Sequence, residues 1–130
     1  MTNEEIETLI KAAQGAMKTA YVPYSKFPVG AAFLMEDGEI VTGCNIENAS
    51  FGATICAERT AIAKAMSDGV RNVKAIAVTN TTDTKITPCG ICRQVIYEFE
   101  QDIPVICSNK DGDYFVRSIG ELLPDAFTLD

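Results

Sequence analysis

The chain contains no histidine and no tryptophan in 130 residues. Without histidine, Ser-His and Cys-His catalytic pairs, a histidine proton shuttle and every His-ligated metal site are excluded. Cysteine and carboxylate are left to do any chemistry. No apolar run approaches the roughly 20 residues of a membrane-spanning helix, and the opening Met1-Thr-Asn-Glu-Glu5 is acidic where a signal peptide is basic. The expectation is a cytoplasmic chain with no membrane partner. Positive charge is also scarce: 11 Lys and Arg face 18 Asp and Glu, a formal charge of −7. A phosphate backbone requires clustered basic residues, so the charge weighs against nucleic acid as a partner, and a small uncharged or cationic substrate fits better. The length fits a single domain over residues 1–130, with enough apolar residues for a sizeable core. Five cysteines, an odd number, point to reduced thiols or metal ligation rather than a disulfide framework.

Helical spacing of Ile6, Leu9, Ile10, Ala13 and Met17 predicts a helix over residues 3–20, capped by Thr2 or Asn3. Two prolines make residues 21–28 an irregular loop with three aromatic rings. Strands over residues 29–35 and 39–44, joined through Asp37-Gly38, form a hairpin. A polar loop, residues 45–52, leads to a helix from Cys56 that Asp68-Gly69 ends. After a buried strand over residues 73–79 and a polar loop, Thr87 reads as a helix cap with Pro88 in the first helical position. A strand over residues 103–107, an Asp111-Gly112 turn, a strand over residues 114–116 and a helical turn over residues 118–123 complete the chain. This alternation implies an α/β fold, a mixed sheet of about five strands with helices on both faces. Ligands in such folds bind where strands end and helices begin. Both Cys56 and the Cys89-Gly-Ile-Cys92 pair lie at such points.

Cys89 and Cys92 are three apart at a helix start and can grip one ion. The positive end of the helix favours their thiolates. Cys56 supplies a third ligand, and three protein ligands with one open position describe a catalytic zinc rather than a structural one. Cys44 and Cys107, in strands, are most simply small buried hydrophobes, although Cys44 is near enough in sequence to be a fourth ligand. Glu58 follows Cys56 by two residues, about 200° around a helix. The metal must then lie off the helix end, with Glu58 as a base beside its water rather than as a ligand. Three thiolates on Zn²⁺ leave a net charge of about −1, which weakens its pull on a water proton. Arg59 and Arg93 flank the cysteines, and at least one is expected to hydrogen-bond a ligand thiolate and restore that acidity.

Cys56-Ala-Glu58 with Pro88-Cys89-x-x-Cys92 resembles the zinc nucleoside and nucleobase deaminase signature. Tyr24-Ser-Lys-Phe-Pro-Val-Gly-Ala32, Gly43-Cys-Asn-Ile-Glu-Asn48, Cys56-Ala-Glu-Arg-Thr-Ala61, Pro88-Cys-Gly-x-Cys-Arg-Gln94 and Leu122-Leu-Pro-x-Ala-Phe127 resemble the small homotetrameric cytidine deaminases. The resemblance implies the three-layer sandwich of that family and one Zn²⁺ per chain. It implies hydrolysis of cytidine or 2′-deoxycytidine to the uridine, with release of ammonia in pyrimidine salvage. A zinc-bound hydroxide would attack C4 while Glu58 shuttles the proton. By matching position, Asn45 and Glu47 would hold the ribose 3′-hydroxyl and Phe27 would pack on the base. Phe127 and the loop of residues 49–51, including Ala49 and Phe51, would reach a neighbouring subunit's site in a homotetramer. Two residues depart from the family pattern: Phe51 where tyrosine is common, and Asp125 where glycine is.

Other readings compete. Cys89-Gly-Ile-Cys92 alone also fits a thiol–disulfide oxidoreductase. Within the deaminases, an aminopyrimidine antibiotic or adenosine in tRNA is the rival substrate, but Asn45-Ile-Glu47 favours a ribose and the acidic balance speaks against tRNA. Asn45 and Glu47 could instead cap their own loop backbone, and Phe27 could be a core aromatic.

Overall fold

The computed structural model describes residues 1–129. Its elements in chain order are α1 (Asn3–Met17), β1 (Val29–Met35), β2 (Ile40–Cys44), α2 (Ala57–Ser67), β3 (Val73–Asn80), α3 (Gly90–Phe99), β4 (Pro104–Ser108), β5 (Tyr114–Ser118) and α4 (Ile119–Leu122), with a short 3-10 turn at Phe51–Ala53. The five strands form one mixed sheet in the order β2-β1-β3-β4-β5. Only β3 and β4 run parallel, and α3 is the crossover between them. The expected α/β sandwich is borne out.

Strand alternation sends β1 side chains to both faces. Ala32 joins Ala75, Ala77 and Ile106 under Leu9, Ile10 and Ala13 of α1. Three alanines make that face shallow, so the longer helix side chains fill the gap between layers. Ala31, Phe33 and Met35 face the other way, with Ile76, Val78, Val105 and Cys107 against Ala61 and Ile62 of α2 and Ile96 of α3. Each fully buried aliphatic side chain there contributes on the order of 2 kcal/mol by leaving water.

Local chemistry sets the element ends. Thr2 caps α1 in a reciprocal capping box with Glu5. The helix stops at Met17 rather than residue 20, because the Tyr21 N–H donates to the Asn45 carbonyl and turns the chain toward the site. The β1–β2 hairpin closes through Gly38, whose φ of 92° lies in the left-handed region that favours glycine. The largest correction concerns α3: its N-cap is Cys89, not Thr87, and Pro88 precedes the helix. The Thr87 hydroxyl accepts from the Arg93 guanidinium, so it is not spent on a cap.

Candidate active site

Cys56 and Cys89 are both N-caps, of α2 and α3 respectively, with extended backbone. Glu58 is the second residue of α2 and Cys92 the third of α3, so all four groups gather where two helices begin. The Cys56, Cys89 and Cys92 sulfurs lie within 4.8 Å of one another, and Cys56 and Cys89 are 3.7 Å apart. A tetrahedral zinc with bonds of about 2.3 Å places two of its sulfurs about 3.8 Å apart, so this donor set fits zinc. Cys44 lies outside the cluster, beside the Thr19 hydroxyl, and Cys107 is buried in the sheet.

A pocket of about 120 Å³ opens beside the sulfurs, lined by Val29, Asn45, Cys56, Ala57, Glu58, Val78, Ile86, Thr87 and Cys89. Cavities of about 150 Å³ accept a single six-membered ring. Cys92 is buried behind this wall and Glu58 is only 4% exposed.

Burial raises Glu58 to about 7, helped by the negative charge of Cys56 and opposed by hydrogen bonds and by Arg59. Hydrogen bonding with the Cys92 thiol holds Cys56 down at about 5 against the effect of burial, with Arg59 and Cys89 adding to the fall. The same sharing drives Cys92 upward, together with burial and the Glu58 charge. Among the protein's own groups, the cluster concentrates negative charge on Cys56 and keeps a proton near Glu58.

The two arginines part company. Arg59 Nη2 donates to the Thr54 carbonyl at 3.3 Å and lies 3.6 Å from the Cys56 sulfur, while its buried Nε has no partner among the described residues. Arg93 instead donates to the Pro88 carbonyl, the Leu122 carbonyl and the Thr87 hydroxyl. None of these three bonds goes to a sulfur.

The loop of residues 45–48 is stitched on both sides. Ile46 exchanges two backbone hydrogen bonds with Ile55, next to Cys56, while Tyr21 bonds to Asn45 and Glu47. Asn45 accepts from Val29 N–H and donates to the Phe27 carbonyl. Glu47 accepts from the Tyr24 and Ser25 N–H groups and from the Ser25 hydroxyl. Both side chains therefore organise the aromatic loop, although Asn45 keeps one N–H and Glu47 some acceptor capacity free. Phe27 is 38% exposed, which removes the core alternative.

Glu47 and Phe51 line a second hollow with Tyr24, Ser25 and Thr54, and the Tyr24 and Phe51 rings meet edge to face. Ala49, Phe51 and Phe127 are exposed. The Phe127 carbonyl accepts from the Gln94 side chain. Asp125 has φ of 54°, which explains why glycine suits that position.

Sequence reading did not single out Val29, Val78, Ile86 or Thr87 as pocket walls. Ile86 left a signal: it is a lone apolar residue at the end of a polar loop, directly before Thr87-Pro-Cys.

This fold and this gathering of three thiols with a buried carboxylate define a zinc-site hydrolase of the deaminase kind. The chain belongs to the family described as the cytidine and deoxycytidylate deaminase zinc-binding region, whose model matches residues 3–108. The cytidine deaminase of Sporosarcina psychrophila is 54% identical over 127 residues, covering 97% of this chain and 93% of that one. That of Halalkalibacterium halodurans is 53% identical over 125 residues, covering 95% of each. The crystal structure of cytidine deaminase from Burkholderia pseudomallei matches with a TM-score of 0.91 at 48% identity, over 98% of this chain and all of that one, 100%. The oxidoreductase alternative is not favoured, since it leaves Cys56 and Glu58 without a role.

Proposed function

We infer that the chain is a zinc-dependent deaminase that hydrolyses cytidine and 2′-deoxycytidine to uridine and 2′-deoxyuridine, releasing ammonia. The observation that carries this reading is the convergence of Cys56, Cys89 and Cys92 beside one pocket with Glu58 buried in its wall. Cys56, Cys89 and Cys92 hold the metal. Zinc bound there supplies the Lewis acidity that makes a water nucleophilic near neutral pH. Glu58 accepts the proton the attacking water gives up, because its carboxylate is buried in the pocket wall beside the sulfurs and can both take and return a proton. It then delivers that proton to ring N3, takes a second proton from the new C4 hydroxyl and passes it to the C4 amine, which leaves as ammonia as the C4–N bond breaks and the C4 carbonyl forms. Val29, Val78 and Ile86 keep the ring in an apolar slot, and Arg59 offsets thiolate charge at Cys56.

Asn45 and Glu47 serve the ribose 3′-hydroxyl with the hydrogen-bonding capacity their loop contacts leave free, while Phe27 packs against the base. Ala49, Phe51 and Phe127 complete a neighbouring subunit's site in a homotetramer, a reading supported by their exposure and by Phe51 and Phe127 being apolar. One domain spans residues 1–130, one zinc serves each chain, and the role is pyrimidine salvage. Free thiols at the site suit a reducing compartment, the cytoplasm. Among the described residues no helix is long and apolar enough to cross a membrane.

An absorbance assay with cytidine, deoxycytidine and cytosine tests the function. Turnover of the nucleosides, about one zinc per chain by elemental analysis and a loss of roughly 10²–10⁴ in kcat for Glu58→Gln are expected. Failure to turn over either nucleoside refutes the reading, and light scattering tests the tetramer.

A further inference from the structure

Cys89 is exposed, and among the described residues its sulfur makes no hydrogen bond outside the sulfur cluster, where it meets Cys56 at 3.7 Å and Cys92. Its position must therefore come from its backbone, which enters α3 from a non-helical Thr87-Pro88 segment. Proline has no N–H and Pro88 is buried, so the direction of this segment is fixed by what its carbonyl and the Thr87 side chain meet. Both meet Arg93. Nε donates to the Pro88 carbonyl at 2.7 Å and Nη2 to the Thr87 hydroxyl at 3.1 Å. The third arm, Nη1, donates to the Leu122 carbonyl at 2.8 Å, at the end of α4. That carbonyl closes the last turn of the chain's final helix and has no later helical N–H to accept from. Arg93 itself stands on the first turn of α3, where its N–H donates to the Cys89 carbonyl. One planar guanidinium thus joins the segment before Cys89, the helix carrying Cys92 and the closing segment of the chain.

We propose that Arg93 is a positioning residue that fixes the Cys89 side of the sulfur cluster by locking the Thr87-Pro88 segment to the Leu122 carbonyl, so that the chain's closing segment sets metal affinity. This rests on the reading of Cys89 as a metal ligand. A guanidinium suits the role because its donors form a rigid fork, whereas a lysine ammonium on a flexible stem cannot hold the same three acceptors in one plane. Gln94, the next residue, donates to the Phe127 carbonyl, and among the described residues makes no side-chain hydrogen bond to the Thr87–Cys89 segment. It separates anchoring of the tail from positioning of the sulfur.

The test uses the full chain. Zinc affinity is measured by competition with a chromophoric chelator, the thiolate-to-cobalt absorption is recorded after cobalt substitution, and the unfolding midpoint is taken with chelator present. Arg93→Gln is expected to weaken zinc binding about tenfold to a hundredfold and to shift the cobalt band, as loss of groups that orient ligands does. Arg93→Lys is expected to recover only part of that loss, staying at least about fivefold weaker than the parent. Gln94→Ala is expected to bind zinc like the parent. Parent-like affinity and an unshifted cobalt band in Arg93→Gln overturn the proposal, even if its unfolding midpoint falls, because that is the pattern of a purely structural residue. If Arg93→Gln does not fold, Arg93→Lys decides alone, and parent-like zinc binding there overturns it. Cys89→Ser in parallel separates two failures: unchanged zinc binding in that variant overturns the ligand assignment, and the latch with it.

Discussion

Replacing Gly43 by alanine tests whether the spacing between β2 and α2 sets both the fold and the metal centre. A Cβ at this position falls 2.6 Å from the Ala61 nitrogen, 2.7 Å from the Ala57 carbonyl oxygen and 3.0 Å from the Ala61 Cα. Ordinary contact begins at 3.4 Å, so one side must retreat by roughly 0.8 Å. The strand cannot yield easily, because Gly43 is paired with Ala31 in the sheet. The obstacles on the helix are backbone atoms of its first turns, which cannot rotate away. Overpacking costs about 1–3 kcal/mol, and a rigid backbone on both sides places Gly43→Ala at the upper end, about 3 kcal/mol. For a chain of this size that lowers the unfolding midpoint by roughly 10 °C. The displaced turn carries Cys56 and Glu58, and metal bonds tolerate only about 0.2 Å, so zinc affinity should fall by about tenfold or more. The assays are thermal unfolding with chelator present and chelator competition for zinc. Gly15→Ala is the control of opposite sign: nothing lies within 4 Å of its Cβ, and alanine in a helix interior gains about 0.5–1 kcal/mol. A Gly43→Ala protein with parental midpoint and parental zinc affinity would show that α2 is not held at this distance, and the reasoning would fail.

Three further outcomes follow from the site. Because Glu58 rises from 4.5 to about 7 in the folded chain, its contribution to stability is fully present below 4.5 and is lost as pH rises through 7. In chelator, the wild type should lose up to about 3 kcal/mol across that window relative to Glu58→Gln, and parallel denaturant profiles of the two proteins would contradict it. Arg59→Ala removes the cation beside Cys56 and should lower turnover about tenfold while moving the acidic limb of the pH–rate profile upward; an unchanged profile and turnover would remove Arg59 from that role. Asp125→Ala should cost about 1 kcal/mol more than Asp125→Gly, since an ordinary side chain is strained at a φ of 54°, and chemical denaturation of the pair measures it.

Much of this was legible in the residues because local and global signals agreed. Alternation along β1, the Asp37-Gly38 turn and the apolar spacing of α1 each named an element, and the sheet has the layers they imply. The three cysteines and Glu58 were legible because so few alternatives exist in a chain without histidine. What could not be read was how side chains outside the cluster are spent. Thr87-Pro88 has the composition of a helix start, but Arg93 takes the Thr87 hydroxyl and Cys89 becomes the cap. That outcome depends on a residue six positions away and on a carbonyl at Leu122, and no local pattern records either. Asn45 and Glu47 likewise look like ligand-binding groups in sequence, yet each is engaged with the backbone of the aromatic loop.

Cys56 and Cys89 are separated by 33 residues, and everything from α2 through β3 lies between them. An ion gripped by both therefore closes a loop as a covalent staple does. By the entropy of closing a loop that long, a permanent link would disfavour the unfolded chain by roughly 4 kcal/mol. A metal makes the link reversible, so heat resistance becomes a readout of zinc supply. A cell short of zinc would lose the protein to unfolding and proteolysis as well as losing its activity, and the catalytic ion would double as a licence for the chain to persist.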